Sequence, residues 1–191
     1  MRAKMPLKFL EAAIPGVIII EPDVFKDSRG LFMETFHQKK YTDIGISKPF
    51  VQDNFSRSCK GTLRGLHYQL NHPQAKLVYV VTGEIYDVVV DIRLGSPTFG
   101  KWVGIYLSSE NRRQIFIPEG FAHGFCVLSE TADFIYKCSD LYFQGDDHGI
   151  LWSDPEVGIE WPVKDPLLSA KDSRQLPLKD VPQALLPLYK K

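Results

Sequence analysis

The chain has little of what several large protein classes require. It holds 3 cysteines in 191 residues (Cys59, Cys126 and Cys138), an odd number at unrelated spacings and without a Cys-x-x-Cys pair. That argues against a disulfide framework and points to free or buried thiols in a reducing compartment. No long basic run occurs, and 23 Lys and Arg balance 23 Asp and Glu. The electrostatic footprint of a duplex-binding protein is missing, so no nucleic-acid partner is expected, although a few local cations suffice for a small anion. Apolar runs are short as well. Residues 1–9 carry basic side chains with no long apolar core behind them, and Val17–Ile20 follows Pro15-Gly16, which reads as a turn into a strand. Neither a signal peptide nor a membrane span fits, which leaves the cytoplasm. The sequence also lacks G-x-S-x-G, a P-loop and G-x-G-x-x-G, so it offers no hydrolase elbow, nucleotide-hydrolysis loop or dinucleotide fingerprint. Its five histidines (His37, His67, His72, His123, His148) show no HxH or HExxH spacing. A closed metal-ligand set is absent from the pattern, and neither metal nor cofactor is expected.

What is present suits one domain. With 44% hydrophobic residues the chain can close a single core, here read as residues 1–191 with the core over about 14–172 and a tail over 173–191. Strand-like runs recur at Val17–Ile20, Leu31–Phe36, Leu77–Val81, Ile85–Ile92, Trp102–Leu107, Gln114–Ile117, Gly124–Leu128 and Phe134–Cys138. Turn signals such as Asp27-Ser-Arg-Gly30 and Pro118-Glu-Gly120 separate them. Short β-branched and aromatic runs with this punctuation predict an all-β sandwich or barrel. Helix is expected only near His37–Ile44 and in the tail after Pro177.

Five segments place polar residues where they call for explanation. In Ile85–Ile92 both faces are apolar, which predicts a strand covered on both sides. Asp87 lies in its middle and needs a partner, because an unpaired buried carboxylate is costly. In Gln52–Gln69, the pairs Gln52/Asn54 and His67/Gln69 each share a face and suggest a polar cavity. Arg64 stands three residues before His67, so Gly65 between them marks a possible bulge that re-aims one of the two. His123 sits among small and aromatic residues, and Tyr136 shares a face with Phe134 and Cys138. Lys171-Asp172, taken alone, reads as a solvated pair in a turn.

The motifs, taken together and in order, resemble the dTDP-4-dehydrorhamnose 3,5-epimerase family of the cupin superfamily. They are Asp27-Ser-Arg-Gly with Glu34, Gln52-Asp-Asn54, Leu63-Arg-Gly-Leu-His-Tyr-Gln69, Lys76, Gly83 to Arg93, Gly95 to Gly100, Ile117 to Phe125, Tyr136-Lys137, Gly149 to Pro155 and Leu168 to Asp172. The resemblance implies a metal-free cupin-type jelly-roll barrel working as a homodimer on a dTDP-4-keto-6-deoxy sugar nucleotide. It implies His67 as base, oriented by Asp172, Tyr136 as acid on the opposite sugar face, and Lys76 at the carbonyl oxygen. Arg29, Glu34, Gln52, Asn54, Arg64, His123, Asp147 and Lys171 would contact nucleotide, diphosphate or sugar, with Asp87 behind them. The family commonly has glutamate where this chain offers Asp147 or, as close competitor, Asp146. A relative inverting only one carbon is the alternative activity.

Such a set makes chemical sense. A ketone at C4 acidifies the hydrogens on C3 and C5, and inversion needs a base on one face and a proton donor on the other. A neutral imidazole accepts a proton near pH 7, and a carboxylate on its other nitrogen fixes the tautomer. A cation where the enolate charge develops lowers the barrier.

Overall fold

The structure, a computed structural model, describes residues 8–189. Its strands are β1 (Lys8–Glu11), β2 (Ile18–Glu21), β3 (Val24–Asp27), β4 (Gly30–Met33), β5 (Gln52–Cys59), β6 (Leu63–Gln69), β7 (Lys76–Thr82), β8 (Glu84–Asp91), β9 (Trp102–Ser108), β10 (Gln114–Ile117), β11 (Phe121–Val127), β12 (Thr131–Cys138) and β13 (Asp147–Gly149). One short helix, α1 (Gln38–Thr42), falls inside the segment where helix was expected, and the tail after Pro177 forms 3-10 turns at Leu178–Asp180 and Gln183–Leu185.

Two antiparallel sheets face each other in the jelly-roll manner. One has the order β1-β2-β10-β7-β12-β5 and the other β13-β6-β11-β8-β9, while β3 and β4 form a separate hairpin. The predicted barrel is a flattened one, because neither sheet closes on itself among the described residues. The core between the sheets takes Val78, Val80, Ile115 and Phe134 from one side and Ile85, Val89, Ile105 and Phe125 from the other. Strand alternation sends Tyr86, Val88 and Val90 to the outer face of the second sheet. Strand β8 is therefore covered on both sides, as its sequence predicted.

What covers that outer face is the tail. Leu178, Val181 and Leu186 are buried there beside Leu66 and Tyr68, and the Leu178 amide donates to Asp154 Oδ2 at 2.6 Å. Each such side chain contributes roughly 1.5–3 kcal/mol by leaving water. The tail thus belongs to the packed molecule and backs strand β6.

Candidate active site

Strand β6 carries the site because of one irregularity. His67 pairs across to His123 on β11, but Arg64 pairs with Phe125, so Gly65 and Leu66 together oppose Gly124 alone. The bulge turns Arg64 and His67 to the same side, and both line one cavity. Glycine is required on both strands at this point. Gly65 has φ +125°, and a Cβ on it would meet Gly124 Cα at 2.6 Å and the His123 carbonyl oxygen at 2.8 Å.

The cavity, about 800 Å³, opens between the two sheets. An adjoining lobe of about 360 Å³ shares Asn54, His67, Lys76, Tyr136 and Asp147 with it. This space suits a ligand of nucleotide-sugar size. His67 approaches from one sheet, on β6, and Tyr136 and Lys76 from the other, on β12 and β7. Imidazole, phenol and ammonium therefore line a single space from facing walls.

The His67 Nε2–H donates to Asp172 Oδ1 at 2.6 Å, and since a carboxylate only accepts, Nδ1 is left as the bare nitrogen. Asp172 sits in a 3-10 turn (Asp172–Arg174) and is almost wholly buried. Burial would raise its carboxyl, but the hydrogen bond and charge of His67 and the Gly65 amide carry it below the ordinary carboxylate value. The solvated Lys171–Asp172 pair read from the turn alone does not form: Lys171 pairs instead with Asp147.

Tyr136 makes no side-chain hydrogen bond among the described residues, and burial raises its phenol to about 12. Lys76 lies with its ammonium 5.9 Å from the centre of the Tyr136 ring. It forms no ion pair among the described residues, and burial lowers its value from that of a free lysine while Cys138, Asp147 and Asp87 oppose the shift. His123 is buried on the same wall as His67 and bonds Asp87 Oδ2 through Nε2 at 2.9 Å. Burial lowers its value, against the pull of Asp87.

The remaining expected contacts divide. Asn54, Arg64, Asp147 and Lys171 line the main cavity, and Gln52 the adjoining lobe. Between the two acidic competitors the geometry discriminates: Asp147 faces the cavity, whereas Asp146 is buried and accepts the Asn71 and His72 amides at 2.8 and 2.7 Å. Gln69 is occupied with loop backbone, donating to the His72 and Leu141 carbonyls. Arg29 and Glu34 do not reach the cavity of their own chain. Arg29 pairs with Asp27 at the tip of the exposed β3–β4 hairpin, and Glu34 pairs with Lys40. Several lining residues were not singled out from sequence, among them Ser56, Thr62, Gln74, Tyr142 and Ser169. Ser56 continues the alternation of Gln52 and Asn54 along β5, a signal that was there to be read, while Tyr142 reaches the site from a loop, where no periodicity exists.

Comparison with known proteins agrees with this geometry. The family model described as dTDP-4-dehydrorhamnose 3,5-epimerase matches residues 11–180, past the limit of Asp172 drawn from the motifs. An enzyme of that name from Shigella flexneri is 58% identical over 168 residues, covering 87% of this chain and 93% of that protein. A dTDP-4-dehydrorhamnose 3-epimerase from Streptomyces niveus is 41% identical over 179 residues, covering 92% and 86%. The crystal structure of a 3,5-epimerase from Legionella pneumophila in complex with dTDP-4-keto-L-rhamnose superposes with a TM-score of 0.95 at 51% identity, over 97% of this chain and 100% of that one. With the family model spanning most of the chain and relatives 41–58% identical along nearly all of it, the chain belongs to the dTDP-4-dehydrorhamnose 3,5-epimerase family.

Proposed function

We propose that the protein converts dTDP-4-dehydro-6-deoxy-D-glucose to dTDP-4-dehydro-L-rhamnose by inverting C3 and C5, the epimerisation step of dTDP-L-rhamnose biosynthesis. The observation that carries this reading is the placement of His67 and Tyr136 on facing walls of one cavity, with Lys76 beside the phenol. His67 Nδ1 removes the proton alpha to the ketone, and Asp172 stabilises the imidazolium. The electron pair moves onto the C4 oxygen, where Lys76 meets the developing charge. Tyr136 then protonates the same carbon from the other side. Its value near 12 makes it a weak acid, yet a stronger one than the C–H bond it forms. Each inversion leaves His67 protonated and Tyr136 deprotonated, so exchange with solvent resets the pair before the second carbon reacts.

Arg64 and Lys171 supply positive charge for the diphosphate, and Gln52, Asn54, His123 and Asp147 hold sugar and base. Arg29 and Glu34 act in the cavity of a second copy. The β3–β4 hairpin that carries Arg29 exposes Phe25, Leu31 and Phe32, a surface suited to reaching across a homodimer. The residues needed for both proton transfers come from the chain itself, without metal or other cofactor. No described helix is long and apolar enough to cross a membrane, and the three cysteines are free thiols, which fits a cytoplasmic enzyme.

The test is turnover of the 4-keto substrate in deuterated water, with the product read by proton NMR at C3 and C5. Deuterium at both carbons with inverted configuration supports the double epimerase. Inversion at one carbon assigns the protein to the single-carbon epimerases, and no incorporation at either ends the reading.

A further inference from the structure

The mechanism leaves one buried carboxylate unexplained. Asp87 is fully buried in the middle of β8, among Ile85, Val89, Ile105 and Phe125. Its Oδ2 accepts from His123, but its Oδ1 is buried with no hydrogen-bond partner among the described residues. A half-satisfied carboxylate costs stability that an apolar side chain of similar size would not, so packing does not account for it. Asp87 touches the cavity only through its neighbours. His123 shows its other face there, and Nδ1 has no protein partner among the described residues.

We propose that Asp87 is a positioning residue for the reaction: its hydrogen bond locks His123 as the Nε2–H tautomer, leaving Nδ1 to accept from a sugar hydroxyl. The assignment rests on the epimerase reading. A neutral His123 has no proton to give the ketone oxygen, so the donor there is Lys76, and the two residues divide the sugar between them.

Two measurements test this. Nitrogen-15 NMR of the unliganded wild type is expected to show His123 protonated at Nε2 and bare at Nδ1, whatever the substrate proves to be. The opposite tautomer, or an imidazolium at pH 7, overturns the proposal without touching the epimerase reading, which the deuterium count decides separately. In Asp87→Asn, kcat/KM is expected to fall on the order of 10–100-fold, the range for partners one step behind the reacting groups. The same NMR measurement on the variant is expected to show His123 no longer held as the Nε2–H tautomer alone, while dTDP still binds. A folded Asp87→Asn that binds dTDP, keeps kcat/KM within about twofold and retains the wild-type His123 tautomer refutes the assignment.

Discussion

Two histidine–aspartate pairs stand side by side, joined by the cross-strand register of His67 and His123, and they are built for different work. His67 keeps about a third of its side chain exposed, and its carboxylate comes from a turn 105 residues later. His123 is buried, and its carboxylate stands in the neighbouring strand. The first pair is open to solvent. Burial lowers the second below ordinary histidine and holds it neutral. Under the proposed mechanism the same two residue types make a base in one place and a recognition group in the other.

The strongest way to break the comparison is to remove the proposed base. His67→Ala is expected to lower turnover by about 10⁴-fold or more and to abolish deuterium exchange at C3 and C5, with dTDP affinity unchanged. Full exchange in that variant would mean that His123 or another group does the chemistry. Tyr136→Phe tests the facing wall. Turnover should fall by roughly 10²–10⁴-fold, yet exchange at the first carbon should continue with retained configuration, since His67 can return a proton to the face it came from. If net inversion persists, the phenol is not the acid.

Asp172→Asn sharpens the contrast between the two carboxylates. A loss of about 10²–10³-fold is expected, larger than for Asp87→Asn because the affected imidazole is the one that reacts. The sign of its pH dependence follows from the folded value lying below the unfolded one. The stabilisation from Asp172 is complete above the ordinary carboxylate value and is lost as pH falls through the lower folded value. Acid unfolding curves of wild type and Asp172→Asn should therefore converge at low pH, and parallel curves would refute the linkage. The smallest expected effect is structural and strikes both pairs at once. Gly65→Ala forces a Cβ against Gly124 and the His123 carbonyl, at about 2 kcal/mol, or roughly 4–8 °C in Tm for a chain of this size. An unchanged melting temperature would mean that the two strands can separate freely there.

How much of this was legible in the residues varies with distance along the chain. Short apolar runs located β7, β8, β9, β10 and much of β12, because strands packed into a core collect β-branched and aromatic residues. Leu31–Phe36 was drawn too long, since the strand ends at Met33, and β1 and β13 are short edge strands with too few residues for a pattern. The polar pair Gln52 and Asn54 announced a cavity wall, while Tyr142 and Asp172 lie in loops and turns where period carries no information. Asp172 illustrates the limit most plainly: beside Lys171 it reads as a solvated pair, and only the folded chain turns it inward to His67.

The order of the motifs, the strand periods and the bulge-forming glycine at position 65 are properties of neighbouring residues, so the amino-acid sequence alone determined the fold class and the family resemblance. Which groups meet was decided by the pairing of distant strands. The packing of two sheets set His67 opposite Tyr136, chose Asp147 over Asp146 for the cavity, and left Arg29 outside it. Those outcomes depend on contacts between residues tens of positions apart, and such contacts exist only once the core has closed.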